Sequence, residues 1–275
     1  MPLSSAVLAV YNSERSVKQA IDSLLSQSVP VELIVVDDGS TDKTLSILKS
    51  YGRQIKLIEQ SHAGPGVARN LGAKHAHRDI LLFVDADMTF ANNYAHDLIA
   101  PIKTNKVIGT YTTEERVANW DNTLARCWNY QEGWEDGKRF PKNPPKWGTD
   151  FRAINKFDFD RVGGFDNIGY TDTWSLFNKL ATRPLATKAI CYHRNPDNYV
   201  SVYRQARWAA KRPYKLGALG LVIALLRTSL PVSLAIGASK ALAHRTLTFL
   251  PFKIVYDLGR FVGILEMVFT KKLSK

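Results

Sequence analysis

The chain has 275 residues, 45% of them hydrophobic and 23% charged, which excludes a disordered protein and suits one large α/β domain, or a domain with an appendage. Its 2 cysteines, Cys127 and Cys191, exclude a disulfide scaffold, and no Cys/His cluster has zinc-ligand spacing. Of the formal net charge of +12, +11 falls in residues 204–275, where 13 Lys and Arg face 2 acids, so a nearly neutral body carries a strongly basic tail.

The first residues lack a basic n-region, and the apolar run 6–11 is too short for a signal sequence. Short runs rich in β-branched residues predict strands over 6–10, 32–36, 55–58 and 80–84. Between them the pattern predicts helices over 16–26, 43–51 and 67–75; in the first, Val17, Ala20, Ile21, Leu24 and Leu25 share one face. Strand–helix alternation with such short connections predicts a mostly parallel, Rossmann-like α/β sheet with flanking helices. Ligands of such sheets bind beyond the carboxyl ends of the strands, which is where the polar motifs begin.

After the second strand stands Asp37-Asp38-Gly39-Ser40-Thr41-Asp42. Gly39 permits a tight turn and Ser40 or Thr41 can cap the next helix, while two carboxylates at a strand end can accept hydrogen bonds from a base N–H or ribose hydroxyls. After the fourth strand comes Asp85-Ala86-Asp87. On an extended chain alternate residues point the same way, so both carboxylates can face one cation, with magnesium or manganese on a diphosphate the natural ligand.

Residues 104–203 are less regular and hold five of the six tryptophans, Trp120, Trp128, Trp134, Trp147 and Trp174, surfaces either for core packing or for stacking a sugar or lipid. A further strand is predicted over 186–192, ahead of His193. The expected organisation is a catalytic domain over 1–203, divided into a nucleotide-binding half (1–103) and an acceptor half (104–203), followed by a basic helical tail over 204–275.

As an ordered set, the motifs resemble those of the family 2 glycosyltransferases with the GT-A fold. Ala9-Val10-Tyr11-Asn12-Ser13-Glu14 is similar to that family's P-x-Y-N-x-E opening, with Ala9 in place of proline; Gly64 to Gly72 resembles G-x-x-x-A-R-N-x-G; Val162-Gly163-Gly164-Phe165-Asp166 matches V-G-G-F-D. The resemblance implies that Tyr11, Glu14, Asp38 and Arg69 line a nucleoside pocket. It also implies that Asp85 and Asp87 form the D-x-D, with Asp87 the direct ligand of Mn2+ or Mg2+ and Asp85 reaching metal and ribose. His193 resembles a late histidine found beside the metal. The family's E-D pair corresponds to Thr171-Asp172, which keeps only the aspartate, so Asp172 is the expected general base, with Asp150 and Asp166 as weaker candidates. The alternative for Asp172 is a helix N-cap. Arg204-Gln205-Ala206-Arg207-Trp208 is one position away from the Q-x-x-R-W of processive synthases, and Arg207 on a solvated helix face is the plainer reading.

The tail is both basic and apolar. Its charge-free runs, 216–226 and 228–239, are each shorter than the about 20 residues a spanning helix needs, and Arg227 divides them. Helices lying in the interface, or a shallow hairpin, fit better; Lys253, Asp257, Arg260 and Lys271 form one face of the last segment, and Ile254, Val255, Leu258, Phe261, Val262, Leu265 and Phe269 lie away from it. The alternative is a helical subdomain packed on the body.

The sequence thus leads to an inverting, metal-dependent transferase using a nucleotide-diphospho-sugar, with a saccharide or lipid-linked acceptor, held at the cytoplasmic face of the cell membrane by an anionic surface. No nucleic-acid partner is expected. The alternatives are a transferase that loads a polyprenyl phosphate, and a non-catalytic basic Rossmann-like protein binding membrane or nucleic acid.

Overall fold

Two opposed apolar faces organise the first part of the chain. Ala6, Leu8 and Val10 point to one side of their strand and Val7 to the other, and all are buried, the pattern of a strand covered on both faces. In the computed structural model, which describes residues 3–167 and 172–270 (of 172–174 the backbone alone), that strand is β1 (Ser4–Val10). It pairs in parallel with β2 (Val31–Asp37) and with β4 (Ile80–Asp85), and β2 pairs in parallel with β3 (Lys56–Glu59). The remaining strands are β5 (Met88–Phe90), β6 (Gly109–Val117), β7 (Ala153–Asn155) and β8 (Leu185–His193). The sheet runs β3-β2-β1-β4-β7-β6-β8-β5, and antiparallel pairing takes over at β4–β7, β6–β7 and β5–β8. The expected parallel sheet is therefore its first half only.

The chain moves outward from β1 to β3 and then returns to place β4 on the other side of β1, which makes a topological switch point between β1 and β4. Register brings the carboxyl ends together, with Val10 opposite Asp37 and Ala9 opposite Asp85. Helices α1 (Val17–Leu25), α2 (Thr44–Lys49) and α3 (Pro65–Lys74) fill the connections. On α1, Val17, Ala20, Ile21 and Leu24 are buried as expected, whereas Leu25 is exposed. Helix α3 lies close against the sheet at Gly72, where a methyl group would stand 2.4 Å from Val7 Cγ1.

The irregular stretch contains α4 (Tyr94–Lys103), α5 (Thr123–Glu132), α6 (Lys156–Arg161) and α7 (Asp172–Leu180). After β8 come α8 (Tyr199–Ala210), α9 (Gly217–Arg227), α10 (Leu230–Ala243) and α11 (Phe249–Thr270). The compact units do not follow the 203/204 boundary: residues 3–116, 143–167 and 172–193 form one unit, and 117–142 with 194–270 form the other. In the second unit Trp128 of α5 packs edge-on against Phe252 and Tyr256 of α11, so the helical segment has a core of its own.

The expected polar face of α11 is turned inward. Lys253 and Asp257 are 4% and 2% exposed, joined by a 2.8 Å ion pair, while Leu258, Phe261 and Phe269 are exposed. Two buried groups of opposite charge, one helical turn apart, satisfy each other and need no solvent. Lys271 lies outside the described residues. Arg207 is part-exposed at the surface of α8 and pairs with Glu266 of α11, which Lys211 also holds at 2.6 Å.

Candidate functional site

The loops after β1 and β2 are knitted to each other. Asn12, at φ 49, donates its backbone N–H to Ser40 Oγ at 3.0 Å and accepts from Thr41 N at 2.8 Å. Ser13 N donates to Thr44 Oγ1 at 2.8 Å, and Glu14 accepts from Lys43 N at 3.1 Å. Glu14 thus braces the start of α2, a role the sequence reading had not assigned it. Tyr11 is exposed and stacks on His62, ring centroids 4.1 Å apart.

Asp38 is buried and anchors the loop that leads into α3. Its carboxylate accepts from Ala63 N and Gly64 N, both at 2.9 Å, and from Gln60 Nε2, and it faces His62 Nδ1 at 2.9 Å. Tyr11, His62 and Asp38 therefore form one continuous wall, and His62 is the member that sequence reasoning missed. Asp37, next to Asp38 in the chain, keeps one buried oxygen, Oδ1, without a hydrogen-bond partner.

The D-x-D does not aim both carboxylates at one cation. Asp85 is the last residue of β4, and Ala86 and Asp87 form a turn before β5, so the extended alternation that would align the two side chains ends at Asp85. Asp85 instead accepts from Arg69 Nη2 at 2.8 Å and from Arg152 Nη1 at 2.7 Å. Burial pushes its carboxyl upward, but the Arg152 and Arg69 guanidinium groups outweigh that and hold it well below the usual carboxylate range. Each Asp85 oxygen is thus engaged by one arginine. Arg69 reaches Asp85 and lies 5.9 Å from the Phe165 ring centroid.

Asp87 follows a different path. The pairing of β5 with β8 sets Met88 opposite His193, which brings the half-exposed Asp87 carboxylate to 3.0 Å from His193 Nε2. The other ring nitrogen, Nδ1, faces Glu115 Oε1 at 2.7 Å, Glu115 being buried on β6. A carboxylate at Nδ1 keeps a proton there and orients Nε2 outward, the usual second partner of a ligating histidine. A carboxylate oxygen suits Mn2+ or Mg2+, whereas the imidazole nitrogen beside it favours a transition metal, so of these two ions the pair fits Mn2+ better. Among the described residues no group of three or more His, Cys, Asp or Glu side chains is arranged to hold a metal ion.

Arg152 ties these elements together. It lies 3.6 Å from Glu115 and 3.3 Å from Asp150 as well as bonding Asp85. Burial works against its charge, and Asp150, Asp85 and Glu115 more than compensate. Burial together with the Asp85 and Glu115 charges raises Asp150 above the ordinary carboxylate value, against the pull of Arg152 and Arg69. Neither Glu115 nor Arg152 was read as functional from sequence. The available signal was a charged residue inside the apolar run Phe151-Arg152-Ala153-Ile154, which needs a buried partner. Of the base candidates, Asp172 opens α7 but its side chain lies outside the described residues, and Asp166 pairs with Lys179 at 2.5 Å.

The glycine-rich landmark is a structural joint. Asn70 donates to Phe165 O at 2.8 Å and accepts from Phe165 N at 2.9 Å. Gly164, at φ +67, lets that side chain approach, since a methyl there would lie 2.4 Å from Asn70 Oδ1.

A family model described as "Glycosyl transferase family 2" matches residues 5–165. An uncharacterized glycosyltransferase of Haemophilus influenzae is 41% identical over 98 residues, 34% of this chain and 39% of that protein. The poly(ribitol-phosphate) beta-N-acetylglucosaminyltransferase TarS of Staphylococcus aureus is 39% identical over 90 residues, 30% of this chain and 16% of that one. The match thus spans well under half the length of these relatives. Among solved structures, a mannosyltransferase from Pyrobaculum calidifontis superposes with a TM-score of 0.60 at 19% identity, over 98% of this chain and 88% of that one.

Proposed function

The chain belongs to glycosyl transferase family 2, and from that premise we propose that it moves a sugar from a nucleotide-diphospho-sugar to an acceptor hydroxyl, with inversion and with a divalent cation bound. The observation that carries the reading is the Asp87–His193 pair, braced by Glu115, beyond the carboxyl end of β4. The cation, when bound, neutralises charge on the departing diphosphate. The Pyrobaculum mannosyltransferase was solved with GDP-Man and Mn2+, and TarS with UDP-GlcNAc; a donor and a metal of these kinds suit the residues here.

The chain's own residues divide the remaining work. Tyr11, with His62 and Asp38 behind it, offers a flat face and carboxylate-anchored backbone to the nucleoside. Arg69 and Arg152 fix Asp85 at the end of β4, where it can meet the ribose. Asp172 removes the proton from the acceptor hydroxyl as its oxygen bonds to the anomeric carbon, and the bond from that carbon to the diphosphate breaks on the opposite side, its electron pair leaving with the diphosphate. The acceptor is a saccharide, free or lipid-linked.

A panel of nucleotide sugars, incubated with the protein in manganese and in excess chelator, tests this. One donor should be consumed, only with metal, and not by Asp87→Ala. Undiminished turnover in chelator, or in a folded Asp87→Ala protein, overturns the metal assignment.

A further inference from the structure

The second unit buries some of its charged side chains and leaves part of its apolar surface outside. Asp257 accepts from Lys253 Nζ at 2.9 Å and from Ser233 Oγ at 2.6 Å, so α10 and α11 are joined by a buried polar cluster. Lys240 also turns inward, its ammonium donating to Tyr130 O and to Gln131 O at the end of α5, where carbonyls lack helical partners. The outward surface of these helices is largely apolar: Leu219, Val222 and Leu226 form a row on α9 and Leu258, Phe261 and Phe269 one on α11, while Leu230, Leu234, Ile236 and Leu242 are exposed around α10, and Leu226 stands at 63% and Phe269 at 81%. Isolated exposed leucines are ordinary, but this many exposed apolar residues on three helices that pack on one another are not.

Cations accompany these rows. Lys215 precedes α9, Arg227 ends it and Arg245 follows α10, and all three are exposed. No single described helix is long and apolar enough to cross a bilayer; α9 and α10 reach that length and composition only together, and they are bent by 64° at the break between them. Polar groups paired internally, apolar rows outward and basic residues at the helix ends together match the chemistry of an anionic lipid leaflet, whose acyl boundary takes the leucines and whose headgroups take the cations. A nucleic acid would take the cations but leave the leucines in water.

We infer that α9, α10 and α11 dock the protein on an anionic lipid surface. This goes beyond the proposed reaction and is independent of it, because binding to vesicles can be read without any sugar transfer.

The test is flotation of the full chain with vesicles of phosphatidylcholine alone and of phosphatidylcholine with phosphatidylglycerol, at low and high salt. The protein should float with the anionic vesicles and be released only in part by salt. Arg227→Gln and Arg245→Gln should each weaken that binding about fivefold without altering the weaker binding to neutral vesicles. Leu226→Glu combined with Leu230→Glu should abolish both; the milder Leu226→Ser with Leu230→Ser, checked by circular dichroism, should weaken both if the glutamates impair folding. Full-length protein that stays unbound to anionic vesicles at low salt overturns the inference. So does a dimer in light scattering that the leucine substitutions dissociate while vesicle binding is absent, since a second copy would then cover the rows.

Discussion

Arg152 and Arg69 grip opposite oxygens of Asp85, at 2.7 Å and 2.8 Å, so the residue that ends β4 is a structural ion-pair centre beside the proposed metal pair. Because its folded value is held below the unfolded one, near 3.9, Asp85 contributes stability that is present above that pH and is lost as pH falls below it toward the folded value. Asp85→Asn should therefore flatten the acid limb of the melting temperature below about pH 4, while lowering stability at pH 7. Arg152→Met removes the shared partner of three carboxylates and should cost about 3–5 kcal/mol, read as a shifted denaturant midpoint.

Glu115 acts through His193. Glu115→Gln keeps the side chain's size but replaces a carboxylate at Nδ1 by a group that holds the ring less firmly. Mn2+ affinity should fall about 10–100-fold, measured by electron paramagnetic resonance in the presence of the nucleotide diphosphate that the donor panel selects. His193→Ala should lose at least as much. Unchanged Mn2+ affinity in both would make the Glu115–His193 pair a packing feature.

Gly164→Ala tests the joint between α3 and the landmark glycines. The φ of +67 is unfavourable for alanine, and its methyl would press on Asn70 Oδ1, breaking the paired bonds to Phe165. A loss of about 1–3 kcal/mol is expected from the backbone alone. Gly163, also at positive φ but with open space around it, should lose less on the same substitution. Thermal melts of the two variants give the comparison.

The strands of the first half were legible because β1, β2 and β4 are buried on both faces and read as continuous apolar runs, and their motifs fall at one edge by register. Glu115 was not legible, because β6 carries Thr112, Thr113, Glu114 and Glu115 in succession and only its place in the sheet shows which of them points at His193. The expected alignment of Asp85 with Asp87 fails for a local reason: two carboxylates spaced for an extended strand are separated by a turn. The face of α11 was inverted because helical periodicity locates the polar stripe but not the side that is covered. Lys253 and Asp257 find each other one turn apart, and Ser233 meets them from another helix, which periodicity cannot show.

The general base is the remaining chemical question, and two carboxylates compete for it. Asp172 follows the family landmark at the spacing where an acid is expected, while Asp150 is a carboxyl raised by burial and by Asp85 and Glu115, close to the same arginine. A base must be ionised to accept a proton, so turnover should fall on the acid side through its pKa. Asp172→Asn should lower turnover by about 10²–10⁴-fold with nucleotide affinity intact, since the amide keeps the size and loses only the proton acceptor. Asp150→Asn removes a charge that pairs with Arg152 at 3.3 Å; it should alter stability more than turnover and leave the acid limb of the rate profile in place. Should Asp150→Asn instead abolish that limb while Asp172→Asn turns over normally, the roles are exchanged and Asp172 serves only to start α7. Calorimetric titration of the nucleotide into both variants separates a lost base from a lost donor site.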